Sequence, residues 1–86
     1  MFLKRVTIMN PAGLHARPAG QLVQLCKGMP VDIKLVNGEK EIDPRGIMAI
    51  LTAGMKQGTE IAVQAIGEDE EKYGEMIVGF IQNLKE

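Results

Sequence analysis

The sequence predicts an α+β fold, an open-faced β-sandwich with elements in the order β-α-β-β-α-β-α. Three helices would cover one face of a four-stranded antiparallel sheet. Three observations predict it. Apolar residues switch along the chain between a spacing of two and a helical spacing near 3.6. An Asn37-Gly38 pair separates two short alternating runs, a strong local sign of a hairpin. The clearest helical stripe closes the chain, where Tyr73, Met76, Ile77, Phe80, Ile81 and Leu84 keep one face over three turns. At 86 residues the chain is the size of one small domain, 1–86.

Each element has its own signal. Residues 2–9 alternate around Val6 and Ile8, with Arg5 and Thr7 opposite, and read as a half-buried strand. Over 16–27, Ala19, Leu22, Val23 and Cys26 recur at core-facing helical spacing. Pro18 suits the first turn of that helix, Lys27 complements the dipole at its end, and Gly28 stops it. Met29-Pro30 opens an extended segment, and Val31, Ile33 and Leu35 mark a second strand through Val36. Asn37 and Gly38 can both take positive φ and are expected to be the turn. Residues 39–42, partly charged, form a third strand at an edge of the sheet.

Asp43-Pro44 resembles an N-cap followed by a first-turn proline, although Gly46 disfavours a helix starting there. The secure helical part is 47–53. It is apolar beyond one stripe, with Ile47, Met48, Ile50 and Leu51. Either Ile47, Met48 and Leu51 complete the core, with Met48 filling gaps, or they form an exposed docking patch. The residues alone favour the first. Gly54 and Gly58 bracket a turn, and Ile61, Val63 and Ala65 set a fourth strand over 60–66, ended by Gly67. The acidic run Glu68-Asp69-Glu70-Glu71 complements the dipole of the last helix. Gly74 and Gly79 each lower that helix's propensity by about 1 kcal/mol against Ala, and close packing on a strand is the reason to expect for both. Val6, Ile8, Leu22, Val23, Ile33, Leu35, Ile61, Val63, Ile77, Phe80 and Ile81 should form the core.

Composition excludes several classes of function. A net charge of −1 gives no electrostatic case for nucleic acid or an anionic membrane as partner. No Trp, one Tyr and two Phe leave little for base stacking. The apolar runs fall short of a membrane span and nothing reads as a signal peptide, so no membrane insertion is expected. A single cysteine gives no disulfide framework, which suits a reducing cytoplasm, and Cys26 reads as a buried small hydrophobe. One histidine and one cysteine cannot build a zinc site; neither metal nor cofactor is expected.

The chemistry points to residues 10–19. His15, the one histidine, lies just before a helix start, where unpaired backbone N–H groups and the dipole favour an anion. Arg17 sits in the first turn, an unfavourable place for a cation unless an anion regularly occupies the site. Its guanidinium matches phosphate oxygens. A neutral imidazole is a nucleophile near pH 7, so phosphoryl transfer through His15 is the first hypothesis. The other reading is an ordinary exposed turn histidine.

The stretch Gly13-Leu14-His15-Ala16-Arg17-Pro18-Ala19 resembles the active-site signature of HPr, the histidine-containing phosphocarrier family of the bacterial phosphoenolpyruvate-dependent sugar phosphotransferase system. Ile47-Met48 with Leu51 resembles the family's second short helix. Gly54 and Lys56-Gln57-Gly58-Thr59-Glu60-Ile61 resemble its link into the last strand, so the likeness covers the whole chain. The resemblance implies one HPr-like domain in which His15 takes a phosphoryl group on Nδ1 from enzyme I and passes it to enzyme IIA. Arg17 and the backbone N–H groups of Ala16 and Arg17 would steady that group. Gly20, Gln24 and Lys27 on the first helix, with Ile47, Met48 and Leu51, would dock partners transiently. No metal is implied on this chain, and a cytoplasmic monomer is expected. Two departures stand out. Many members carry a regulatory serine where this chain has Gly46, so that phosphorylation cannot occur there. Ala12 replaces a polar residue that some members place beside the histidine. A related carrier in a regulatory phosphorelay and a non-catalytic interaction module are the alternatives.

Overall fold

The structure, a computed structural model, describes residues 1–85. The elements are β1 (Phe2–Thr7), α1 (Ala16–Lys27), β2 (Asp32–Asn37), β3 (Lys40–Ile42), α2 (Ile47–Thr52), β4 (Glu60–Ile66) and α3 (Glu70–Gln82). The order is the expected one. The sheet runs β1-β4-β2-β3, with every pair antiparallel. The last strand in sequence therefore lies inside the sheet, bonded on both sides, and short, charged β3 takes an edge.

Alternation decides which face is covered. Val6 stands opposite Ile61, Leu35 opposite both Val63 and Ile42, and Ile33 opposite Ala65, and all of these are buried. Between them Arg5, Lys34, Glu41, Glu60 and Ile66 are exposed on the open face. Exposed ion pairs join Arg5 to Glu60 and Lys34 to Glu41 there. The covered face is closed by Ala19, Leu22, Val23 and Cys26 of α1, Ile50 of α2, and Ile77, Val78 and Ile81 of α3. All of the expected core residues are buried except Phe80, which is half-buried against the core edge.

The hairpin differs from expectation by one residue. Asn37 pairs with Lys40, so the two-residue connection is Gly38-Glu39 rather than Asn37-Gly38. Gly38 has φ +63°, whereas Glu39 does not adopt positive φ. One glycine at the first central position is what a type II′ turn requires. This register sets Ile42 opposite Leu35. A turn at Asn37-Gly38 would have placed Lys40 opposite Leu35, on the covered face.

Asp43-Pro44 is not the cap of α2. The Asp43 carboxylate accepts the Arg45 N–H at 2.9 Å and its carbonyl accepts the Gly46 N–H at 3.1 Å, closing a turn before the helix. Asp side chains favour such local turns over helix starts. Gly46, in extended conformation, is the N-cap. The Arg45 guanidinium then reaches back to the carbonyls of Met29 and Val31, at 2.7 and 2.8 Å, and ties this turn to the α1–β2 link.

Of the expected α3 stripe Ile77 and Ile81 are buried, and Tyr73, Phe80 and Leu84 pack against the edge of the core; the buried line also takes in Gly74 and Val78, which the expectation lacked. Met76 is exposed, Tyr73 half-buried, and Leu84 lies beyond the helix. Gly74 lets α3 lie close against β1: a Cβ there would run into the Phe2 ring. Close packing thus accounts for Gly74 but not for Gly79, which faces open space. Gly74→Ala should destabilise by about 1–3 kcal/mol through overpacking, whereas Gly79→Ala should stabilise by about 1 kcal/mol. Urea denaturation of the two variants separates the effects, and shifts of the same sign would contradict this packing. Glu70, in the acidic run, accepts the Gly67 N–H and pairs with the Met1 ammonium. The Met1 ammonium first, and the Gly67 N–H after it, hold its carboxyl below the ordinary range.

Candidate functional site

The loop that carries His15 is held by backbone. β1 ends at Thr7 rather than Met9, but Ile8 donates its N–H to the Thr59 carbonyl at 2.8 Å and accepts the Gly58 N–H at 2.7 Å. The Met9 carbonyl accepts the Gln57 amide at 2.9 Å. A turn follows in which the Gly13 N–H donates to the Asn10 carbonyl at 3.1 Å. Gly13 has φ +64°, and a Cβ on it would lie 2.7 Å from Lys56 Cα and 2.5 Å from the Met55 carbonyl oxygen. Only glycine fits there, on both conformational and steric grounds. Leu14 is buried and donates its N–H to the same Met55 carbonyl at 2.9 Å. The link between α2 and β4 is therefore the platform on which the loop rests.

His15 is the N-cap of α1, with extended φ −81° and ψ −172°. Its carbonyl accepts the Ala19 N–H at 2.9 Å, which starts the helix. Its side chain makes no capping hydrogen bond. The ring is half-buried, and Nε2 is closed off from solvent with no hydrogen-bond partner among the described residues. Ala16 and Arg17 are exposed in the first turn, where no acidic residue stands. Pro18 is buried and brings no N–H. First-turn N–H groups have no carbonyl of their own helix to receive them, and the aligned dipoles place about +0.5 charge at this end. The position suits an anion held beside an imidazole.

The second group of expected residues lies along α1 and α2. A Cβ on Gly20 would stand 3.9 Å from Ile47 Cδ1, so these two residues face each other across the helix pair. Ile47, Met48 and Leu51 are 41%, 66% and 37% exposed, while Ile50 supplies the one buried stripe of α2. These three residues are exposed and do not complete the core. Gln24 and Lys27 are exposed further along α1, on the side of Gly20 by helical spacing. Gly46, at the N-cap of α2, offers no hydroxyl, and the Thr52 hydroxyl is turned back onto the Met48 carbonyl at 2.8 Å. Cys26 is buried, and burial pushes its thiol up to about 11, with Arg45 opposing the rise. It is inert at neutral pH. Among the described residues no three His, Cys, Asp or Glu side chains cluster as a metal site, and no helix is long and apolar enough to cross a membrane.

Sequence reasoning passed over Asn10 and Met55, which hold the loop. The signal for Asn10 was available: it is the one polar side chain over 10–14. Met55 acts through its carbonyl, which leaves no mark in side-chain chemistry.

Comparison with known proteins bears on this geometry. Residues 3–83 match the family described as the PTS HPr component phosphorylation site. The phosphocarrier protein HPr of Haemophilus influenzae is 34% identical over 85 residues, covering 99% of this chain and 100% of that protein. The crystal structure of HPr from Thermoanaerobacter tengcongensis superposes with a TM-score of 0.89 at 33% identity, over 95% of this chain and 92% of that one. An HPr dimer from the same organism gives 0.73 at 34% identity, over 90% and 88%. A helix start built around a lone histidine, on a sheet and helix arrangement shared with HPr almost end to end, leaves one assignment: the chain belongs to the HPr family of phosphocarriers of the phosphotransferase system.

Proposed function

We propose that this protein carries phosphoryl groups on His15 within the sugar phosphotransferase system, taking them from enzyme I and giving them to enzyme IIA. The observation that carries the reading is the state of the His15 ring. Nε2 is enclosed, so Nδ1 is the nitrogen left to attack, at the anion-favouring end of α1. As the P–Nδ1 bond forms, the bond from phosphorus to the donor breaks; the second transfer reverses this onto the acceptor. Arg17 and the N–H groups of Ala16 and Arg17 hold the phosphoryl oxygens at the helix start. These contacts lie near the surface, which keeps them weak enough for transfer in either direction. Magnesium belongs to the donor enzyme.

Both partners would use the same face, with Gly20, Gln24, Lys27, Ile47, Met48 and Leu51 in contact. An interface this small fits a transient encounter. A carrier that shows one face to successive partners works as a monomer, as one domain over 1–86, in the cytoplasm. The glycine at position 46 leaves it without the serine switch.

Incubation with phosphoenolpyruvate, magnesium and enzyme I, followed by intact-mass analysis, should add one acid-labile phosphoryl group. No addition, with an enzyme I active on another carrier, would sink the reading. Met48→Asp should slow transfer from enzyme I about tenfold or more, by placing a charge in an apolar contact. Its phosphorylation by phosphoramidate, which needs no docking, should be unchanged. An unaltered enzyme I rate would remove α2 from the interface.

A further inference from the structure

Residues 10–14 read Asn-Pro-Ala-Gly-Leu, so Asn10 is the one polar side chain in the turn that leads to His15. It is also buried, at 3% exposed, where polar side chains are kept for a structural purpose. Asn10 grips Gly13 twice. Its carbonyl accepts the Gly13 N–H at 3.1 Å, and its amide Nδ2 donates to the Gly13 carbonyl at 2.8 Å. On the far side Gly13 is backed by the Met55 carbonyl and Lys56 Cα. Leu14 is fixed by its own bond to Met55. His15 comes next and has no tether of this kind: its side chain makes no cap bond and its Nε2 has no partner among the described residues. The aim of the ring is therefore set by the backbone it stands on, which the Leu14 side chain anchors in the core and the Asn10 amide holds by a hydrogen bond.

We propose that Asn10 is a positioning residue for His15. Its amide locks the Gly13 peptide, which fixes the entry into α1, keeps Nε2 turned inward and presents Nδ1 at the helix start. This rests on the phosphocarrier reading above. A small displacement of a reacting atom is enough to lower a rate by one or two orders of magnitude. The role differs from simple stabilisation, because it acts on the ring's reactivity in molecules that remain folded.

The test uses phosphoramidate as the phosphoryl donor, so docking plays no part. In that transfer the donor's P–N bond breaks, the P–Nδ1 bond forms and ammonia leaves. Rates of phosphohistidine formation are compared for the wild type, Asn10→Ala, Asn10→Asp and Asn10→Ser, at a temperature where each is folded. Ring 15N signals of His15 are recorded in parallel. Alanine and an ionised aspartate lack the N–H donor, whereas serine keeps an O–H donor. The expected result is a rate about ten- to a hundredfold lower for Asn10→Ala and Asn10→Asp, a changed balance between the two ring nitrogens, and partial recovery in Asn10→Ser. If Asn10→Ala does not fold, Asn10→Asp, which keeps the side chain's shape, gives the same reading. A folded donor-less variant with wild-type rate and wild-type ring signals overturns this proposal alone. A wild type that phosphoramidate leaves unmodified at His15 overturns the phosphocarrier reading, and this one with it.

Discussion

His15→Ala should take up no phosphoryl group from enzyme I or from phosphoramidate, while folding as stably as the wild type. Complete loss is expected because the chain has one histidine, so no second imidazole can substitute. Stability should hold because the side chain contributes no capping bond to α1 and leaves Nε2 enclosed without a partner among the described residues. An unmet buried polar atom costs about 1–3 kcal/mol, so removing the ring offsets the apolar contact that is lost. Intact mass and thermal unfolding measured on one sample check both halves. Phosphate retained on the variant would place the acceptor elsewhere. A Tm many degrees lower would show that the ring is a structural element.

Gly13→Ala should be the most damaging single methyl in the site. The residue has φ +64°, where an L side chain adds about 1–3 kcal/mol of strain. Its new Cβ would also press on the backbone of Met55 and Lys56, atoms that cannot swing aside as a side-chain tip can. Overpacking of this kind costs about 1–3 kcal/mol more. The sum is a large share of the stability of a small domain, about 5–15 kcal/mol. It corresponds to a fall in Tm of roughly 10 °C or more. The surviving folded molecules should also phosphorylate slowly, because the strain can be relieved only by moving the loop that carries His15. Differential scanning calorimetry gives the first effect and the phosphoramidate rate the second. A variant with unchanged Tm would mean that the loop does not rest on residues 55 and 56 as described. Gly38→Ala is the comparison: it shares the positive φ, at +63°, but has open space around its Cβ, so it isolates the conformational cost.

Much of this was legible in the sequence, and the reasons differ by element. The bounds of α1 followed from Pro18, the apolar stripe and Gly28, because each acts locally on the backbone. The strands around Ile33, Leu35, Ile61 and Val63 followed from alternation, since one covered face imposes a period of two. Two of the errors arose where tertiary contacts settled a local choice, and one where a side chain bonded its own backbone. Asn37-Gly38 carried the strongest turn signal, yet the loop moved one residue on, where Ile42 meets Leu35 and Lys40 stays clear of the core. Asp43 had the chemistry of a cap but closed its own turn instead. The stripe of α3 held for Ile77 and Ile81 but left out Gly74, counted as a weakness of the helix, when its bareness lets Phe2 pack against it. In the site, His15 and Arg17 stood out by residue type and position. The patch of Ile47, Met48 and Leu51 could not be told from core by composition, since exposure depends on which side of a two-turn helix meets the sheet. Asn10 stood out over 10–14 as the one polar side chain, but only its burial shows that it holds the loop.

On the proposed function, Nδ1 of His15 takes the phosphoryl group because Nε2 is enclosed. The most direct measurement is NMR of the 15N-labelled protein after phosphorylation by enzyme I, reading which ring nitrogen couples to phosphorus. Coupling to Nδ1, with Nε2 unsubstituted, is the expected result. Coupling to Nε2, or phosphorus bound to any other residue, would contradict the description of the site.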